Sequence, residues 1–159
     1  MPQRPVTDRT VDLEAQDLIV AVPARLNRLH QMVLGSLDPQ LTFRQYRTLS
    51  RVAGGYTSLS QLAARGNLSL PTVSENVDGL VRRGLLVTTQ SEHDRRAIVL
   101  GITDKGRAAV ETADAALRDL VKYLVADIPA EDLPVVTNAL RSLYDRATIY
   151  FNTEQIDGG

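Results

Sequence analysis

The sequence contains no cysteine and only two histidines. Without cysteine the chain has no disulfide framework, no thiolate zinc site, no cysteine nucleophile and no cysteine redox switch. The histidines, His30 and His93, lie far apart in the chain, whereas a catalytic zinc needs three protein ligands and a structural zinc four. His93 could bind a metal together with Glu92 or Asp94, but a polar loop tip is the simpler explanation. We therefore expect no metal and no cofactor.

The sequence also lacks the motifs of the common enzyme classes. It has no G-x-S-x-G nucleophile elbow and no glycine-rich loop that could cradle a phosphate. The serines of the segments TSLS and SLPTVS stand at predicted helix starts, where a hydroxyl group caps free backbone N–H groups. We therefore predict that the chain is not an enzyme.

Long apolar runs are missing as well. No stretch approaches the length that spans a bilayer, and the N-terminal segment MPQRPVTDRT lacks the apolar core of a signal peptide. A hydrophobic content of 43% in 159 residues is typical of a folded chain. We expect one domain over residues 1–159, a cytoplasmic location and no membrane partner.

The net charge of −1 does not indicate a nucleic-acid partner, but the distribution of charge is informative. Residues 41–107 contain ten Lys/Arg and five Asp/Glu, whereas the rest of the chain contains eight basic and fourteen acidic residues. A basic middle between acidic ends is typical of a middle that contacts phosphate. A chance fluctuation in a mixed-charge surface is the alternative.

Long amphipathic helices are predicted at both ends of the chain. The first covers about residues 10–35, with Pro23 kinking or splitting it, and its apolar stripe is Leu18, Val22, Leu26, Leu29 and Val33. Two more helices cover about residues 103–126 and 130–151. Their apolar stripes include Ala113, Leu117, Leu120 and Leu124 in the first of the two, and Leu133 and Val136 in the second. A second copy of the chain is the simplest partner for these stripes, and packing against their own domain is the alternative.

The middle of the chain contains two capping boxes. Thr42 with Gln45 and Ser58 with Gln61 each pair a hydroxyl with a glutamine three positions later, which predicts helix starts. The second helix is short and ends at a Gly-Asn turn before another start at Ser69. A helix, a tight turn and a helix form the element that crosses DNA with the first helix and contacts bases with the second.

The helix that starts at Ser69 suits the major groove of DNA. Its apolar stripe consists of Val73, Val77 and Leu80, and Gly84 ends it. The opposite face is small and polar, and we assign to it Pro71, Thr72, Glu75, Asn76 and Gly79. The major groove admits such a helix and presents donors and acceptors to its side chains.

A predicted hairpin follows, with strands at residues 85–90 and 97–102 around a polar tip. The ordered set VxxLVRRGLL and HDRRAIVLGITDKG resembles the winged helix-turn-helix of the MarR (multiple antibiotic resistance regulator) family. The resemblance implies a mostly α fold with a small β-wing (α+β), in which residues 41–102 form the winged helix-turn-helix. It also implies that residues 10–35 and 104–151 form dimerisation helices.

As a function, the resemblance implies a homodimeric DNA-binding regulator, with repression the expected outcome, on a palindromic operator in double-stranded DNA. The two reading helices are then about 34 Å apart, one turn of DNA. A dimeric winged-helix module that binds a protein instead of DNA is the alternative. The candidate DNA contacts are Ser69, Pro71, Thr72, Ser74, Glu75, Asn76, Arg82, Arg95 and Arg65.

Two of these residues, and one further pair in the wing, carry a specific expectation. Arg95, at the hairpin tip, is the candidate for the minor groove, where negative potential attracts arginine. Asp94 and Arg96 are similar to a pair that stiffens the wing in the family. Many relatives have a basic residue where this chain has Glu75, which either accepts from a cytosine amino group or is an exposed charge.

The resemblance also implies a small, often aromatic or phenolic effector that releases the DNA. It would bind between the dimer helices and the DNA-binding lobe, in a cleft lined by Leu26, His30, Phe43, Tyr46 and Arg47. An apolar cleft with a few polar groups suits such a ligand. Plain core packing is the alternative for each of these residues.

Overall fold

The computed structural model describes residues 12–90 and 98–156, the last six of these by their backbone alone. In chain order the elements are α1 (Leu13–Gly35), α2 (Phe43–Ala53), α3 (Leu59–Gly66), α4 (Leu70–Arg82), β1 (Leu86–Gln90), β2 (Ile98–Ile102), α5 (Asp104–Leu124) and α6 (Leu133–Ile156). The predicted fold class, mostly helical with a small antiparallel wing, is confirmed. No helix in these ranges is long and apolar enough to cross a membrane.

Both predicted capping boxes are present. The Thr42 hydroxyl accepts from the Gln45 N–H at 3.1 Å, and the Gln45 side chain accepts from the Thr42 N–H at 3.0 Å. Ser58 and Gln61 make the same two bonds, each at 3.2 Å. Since each cap contributes about 1 kcal/mol, these local signals fix where α2 and α3 begin.

The core lies between α2, α3, α4, the wing and the first half of α5. The predicted stripe of α4 is buried, with Val73 and Val77 at 2% exposure and Leu80 at 0%. Leu49 of α2 and Leu62 of α3 complete the same cluster. Burial of one face of α4 leaves its opposite face at the surface.

The wing is a two-stranded antiparallel sheet, in register from Leu86 opposite Ile102 to Gln90 opposite Ile98. The Leu100 N–H donates to the Thr57 carbonyl at 2.8 Å, which attaches the sheet to the loop before α3. The hairpin tip, residues 91–97, lies outside the described residues.

One open alternative is decided, and one detail differs from the sequence-based prediction. Pro23 lies inside α1, which is one helix from Leu13 to Gly35, so the proline does not split it. The last helix begins at Leu133 rather than at residue 130, because residues 130–132 form a turn in which the Asp132 N–H donates to the Pro129 carbonyl. Pro134 then falls in the first turn of α6, where its missing N–H costs little.

The terminal helices leave much of their apolar surface uncovered. In α5, Val110 and Ala113 are buried, but Leu124 is 37% exposed. In α6, Leu140 and Leu143 are 59% and 46% exposed. The fold of one chain therefore covers only part of the stripes that the sequence shows.

Candidate nucleic-acid interface

The outer face of α4 is the candidate surface for DNA. Four exposed residues, Pro71, Glu75, Asp78 and Arg82, follow one another at spacings of four, three and four, opposite the buried stripe. Asp78 was missed by the sequence analysis, although its spacing from Glu75 and Arg82 places it on the same face. This face therefore carries two carboxylates and one guanidinium group.

The N-terminus of α4 is held by a hydroxyl pair. Ser69 accepts from the Thr72 N–H at 3.3 Å, and the two hydroxyl oxygens are 2.8 Å apart. Ser69 is exposed, whereas Thr72 and Ser74 are half-buried. The first turn of a helix has free N–H groups and a positive dipole end, so this end of α4 suits a phosphate oxygen.

Asn76 does not lie on the outer face to which the sequence analysis assigned it. It lies on the side of α4 that faces α2, where its amide donates to the Thr48 hydroxyl at 2.7 Å. Thr48 is 5% exposed, and the bond satisfies a buried polar group. An adenine contact by Asn76 would require this bond to break.

The two arginines at the end of α4 have different environments. Arg83 donates to the Gln45 side chain at 3.1 Å and to the Gln40 carbonyl, so its guanidinium group ties α4 to α2. Arg82 is exposed beside it. Arg65, at the end of α3, donates to the Tyr144 hydroxyl at 3.3 Å, and this bond raises the pKa of Arg65. Arg82 and Arg65 are thus both available at the surface, but Arg65 is linked to α6.

The predicted wing residues Asp94, Arg95 and Arg96 lie outside the described residues, and so does His93. Among the residues that the structure does describe, no group of three His, Asp or Glu side chains is arranged to hold a metal ion.

The residues predicted to bind an effector form a packed aromatic cluster. The rings of His30 and Phe43 are stacked at a centroid distance of 5.2 Å, and Phe43 is 6.3 Å from Tyr46. The Tyr46 hydroxyl donates to Asp114 of α5 at 2.7 Å. These side chains join α1, α2 and α5, and this arrangement favours the core-packing alternative for the three rings.

An open cleft lies on the face of α2 next to this aromatic cluster. Phe43 and Arg47 are the two effector candidates that line this cleft of about 610 Å³. Leu26 is half-buried. The other lining side chains are mainly polar, and four of them were missed by the sequence analysis: Asn27, Gln31, Arg44 and Arg51. The spacing of Arg44 and Arg51 from Arg47 along α2 is the signal that could have found the two missed arginines.

Replacing Tyr46 with phenylalanine tests the link between α2 and α5. Burial, together with the bond to Asp114, raises the pKa of Tyr46 from 10.0 to about 12. A group with a raised pKa stabilises the fold fully below its unfolded-state value, so the contribution is complete below pH 10 and is lost as the pH rises toward 12. We expect Tyr46→Phe to lower the free energy of unfolding by about 1 kcal/mol at neutral pH.

Urea unfolding at pH 7 and at pH 11 measures this effect, and the gap between the two proteins should shrink at the higher pH. Tyr123→Phe is the matched control, since Tyr123 is 79% exposed. Equal stabilities of wild type and Tyr46→Phe at pH 7 would contradict the assigned role.

Comparison with known proteins agrees with this architecture. Residues 40–97 match the model of the MarR family. The fold is similar to FabT of Streptococcus pneumoniae in complex with DNA, with a TM-score of 0.77 and 19% identity, over 86% of this chain and 97% of that one. It is also similar to apo MarR of E. coli, with a TM-score of 0.70 and 21% identity, over 85% and 98%.

The transcriptional regulator BldR of Sulfolobus solfataricus is 26% identical, with a TM-score of 0.66, over 82% of this chain and 94% of that one. No curated protein matches the sequence. The matched family model and these structures agree with the prediction that the chain is not an enzyme. The matched segment is the one that holds α2, α3, α4 and β1, and the helices around it follow the fold of these solved structures: over this segment the chain resembles the MarR family, and it has the same winged-helix fold.

Proposed function

We propose that the chain is a transcriptional regulator that binds double-stranded DNA as a homodimer, with α4 in the major groove. One observation carries this proposal: α4 buries its whole apolar stripe and leaves the opposite, polar face at the surface. A free helix face of this width fits the major groove. FabT of Streptococcus pneumoniae, whose fold is similar, was solved in complex with DNA, which supports DNA as the partner.

The homodimer is proposed from the uncovered apolar surface. Residues 10–35 and 104–151 are assigned to the dimer interface, and residues 41–102 to the DNA-binding unit. Leu18 of α1, Val121 of α5 and Ile149 of α6 are 52%, 51% and 56% exposed. A two-fold axis would cover these stripes and set two α4 helices about 34 Å apart on one face of a palindromic operator.

The wing is assigned a supporting role. We propose that Arg95 enters the minor groove and that Asp94 and Arg96 pair across the tip, as the family resemblance implies. Phosphate contacts are assigned to Ser69, Thr72, Ser74, Arg65 and Arg82. These contacts position the protein on DNA and carry no sequence information.

The reading face itself is acidic. Glu75 and Asp78 are exposed carboxylates that repel phosphate. They stabilise a complex with DNA only where a cytosine amino group donates to one of them. We infer that α4 adds sequence discrimination and little general affinity. The same two carboxylates are the feature that favours the alternative function, a winged-helix module that binds a basic protein partner.

Salt dependence of DNA binding separates these two functions. The test is a gel-retardation and fluorescence-anisotropy series with duplexes from the region upstream of the chain's own coding sequence. DNA binding should weaken by about a thousandfold between about 50 mM and 200 mM salt, because counterions are released from the phosphates. No retardation of any duplex at low salt would favour the protein partner.

Charge variants on α4 sharpen the same experiment. We expect Asp78→Asn to raise the affinity for unrelated duplexes about fivefold, since one repulsive charge near phosphate is removed. Arg82→Ala should lower it by a similar factor. Asp119→Asn, on α5 and away from this face, is the control, and an unchanged affinity in Asp78→Asn would contradict the assigned orientation of α4.

Repression and release by a small molecule complete the proposal. A regulator that occupies an operator blocks transcription most simply by exclusion, and a ligand that prefers the arrangement unable to bind DNA releases it. A small aromatic effector has little room among His30, Phe43 and Tyr46, since these rings contact one another. The adjacent cleft, which Phe43 also lines, is the remaining candidate.

A further inference from the structure

Three arginines form a stripe along α2. Arg44, Arg47 and Arg51 are separated by three and four positions, so their side chains leave the helix on one side. All three line the same cleft of about 610 Å³. One wall of the cleft is α1, with Asn27 and Gln31, and the other is the turn between α3 and α4.

A second hollow of about 480 Å³ continues the same surface toward α6. Arg47, Arg51 and Gly66 line both spaces, and the second adds Arg65 and Tyr144. Four arginines thus line two adjoining spaces between α1, the helix-turn-helix and α6.

Arg51 stands at the junction and has unused hydrogen-bonding capacity. It is half-buried, and its Nη2 donates to the Arg65 carbonyl at 3.3 Å. Its Nε is buried and has no hydrogen-bond partner in the described part of the chain. Burial, followed by repulsion from Arg47 and Arg65, lowers the pKa of Arg51.

Acidic partners for this cluster are missing from the described residues. The ion pair found in those ranges joins Lys122 and Asp119 on α5. A buried N–H without a partner costs about 1–3 kcal/mol, and more when the group is charged. Guanidinium groups that repel one another around a cleft are the arrangement that an anion with several oxygens would stabilise.

We propose that this arginine cleft binds a small hydrophilic molecule with at least two negative charges, of the phosphate-ester or polycarboxylate class. The lining favours it over an aromatic effector, because the open wall of α2 presents guanidinium groups while the three rings contact one another. The position of Arg51 favours a small molecule over the DNA backbone, because this side chain lines both hollows and is half-buried, whereas a duplex contacts exposed groups.

The regulatory consequence rests on the DNA-binding function proposed above. Arg51 contacts the end of α3, one turn before α4 begins, so an anion here would neutralise positive charge near the DNA and fix the helix-turn-helix relative to α1. Binding of the anion and binding of DNA would then oppose each other.

The test uses the full chain and inorganic pyrophosphate as the probe, titrated by calorimetry at constant ionic strength without DNA. We expect saturable binding by the wild type. Arg51→Gln should weaken it at least tenfold, since a charge-assisted contact is lost. Gly66→Ala should also weaken it, although every charge is retained, because the new Cβ would stand 2.8 Å from the Arg51 Nη1 atom and displace it.

Arg141→Gln removes an equal charge from the exposed side of α6 and should bind pyrophosphate as the wild type does. The proposal is overturned if chloride at matched ionic strength gives the same heat, or if Arg51→Gln and Arg47→Gln retain full affinity. It is also overturned if these variants weaken DNA binding while the wild type binds no pyrophosphate, since the cluster would then contact the DNA backbone. Because the titration contains no DNA, its failure leaves the proposed function unaffected.

Discussion

Replacing Gly106 with alanine is expected to destabilise the fold by about 3 kcal/mol or more. A Cβ at this position would stand 2.0 Å from the Leu85 carbonyl oxygen and 2.9 Å from the Ile102 side chain. The first of these atoms belongs to the backbone, so relief requires α5 to move away from the turn that links α4 to β1.

The close approach at Gly106 has a clear cause. The Thr103 hydroxyl accepts from the Gly106 N–H at 2.9 Å and donates to the Gly84 carbonyl at 2.8 Å. The same oxygen lies 3.2 Å from the Leu85 carbonyl. One side chain thus caps α5 and holds it on the preceding turn, and the Thr-x-x-Gly motif of the sequence is the local signature of this junction.

Chemical unfolding of Gly106→Ala against wild type measures the expected loss. The matched control is Gly79→Ala, a helical glycine whose added Cβ would meet nothing closer than Arg82 Nη2 at 3.8 Å. That substitution should stabilise the fold, by up to about 1 kcal/mol, through helix propensity. Similar effects of the two substitutions would contradict the packing described for α5.

A negative charge on the apolar stripe of α6 is expected to separate the dimer. Leu140 and Leu143 lie three positions apart on one side of the helix and are both exposed in a single chain. In the proposed homodimer the double variant Leu140→Asp, Leu143→Asp would bury four unpaired carboxylates at the two-fold interface. Each such charge costs several kcal/mol, so we expect a monomer at micromolar concentration.

The fold of the single chain should survive this change, because both positions are exposed in it. Circular dichroism checks that the helices are retained, and analytical ultracentrifugation gives the mass. Operator affinity should fall at least a hundredfold, since one half-site then binds without its partner. Asn138→Asp places a charge on the opposite side of α6 and should remain dimeric, and a dimeric double variant would contradict the assigned interface.

Much of the fold follows from local sequence signals. Thr42, Ser58 and Ser69 cap the helices that their spacing predicts, because a cap depends only on residues within one turn. The buried stripe of α4 follows from its period in the same way. The start of α6 was predicted three residues early, because the turn at 130–132 uses backbone bonds that leave no mark in the side-chain pattern.

The candidate site was less predictable, because side-chain partners come from distant parts of the chain. Asn76 bonds to Thr48, 28 positions away, and no periodicity reveals that pairing. Arg82 and Arg83 are adjacent and alike in sequence, yet the second is held by α2. The direction of Arg83 depends on how α2 packs against α4, which the sequence alone does not determine.

The stoichiometry of the DNA complex is the most direct test of the central claim, that exposed α4 helices in a two-fold pair contact DNA. Sedimentation of a labelled upstream duplex with the purified chain, at two salt concentrations, gives both mass and affinity. We predict two protomers on each palindromic duplex and a steep loss of affinity at the higher salt. A chain that sediments as a monomer, or that binds no duplex at low salt, would contradict the account.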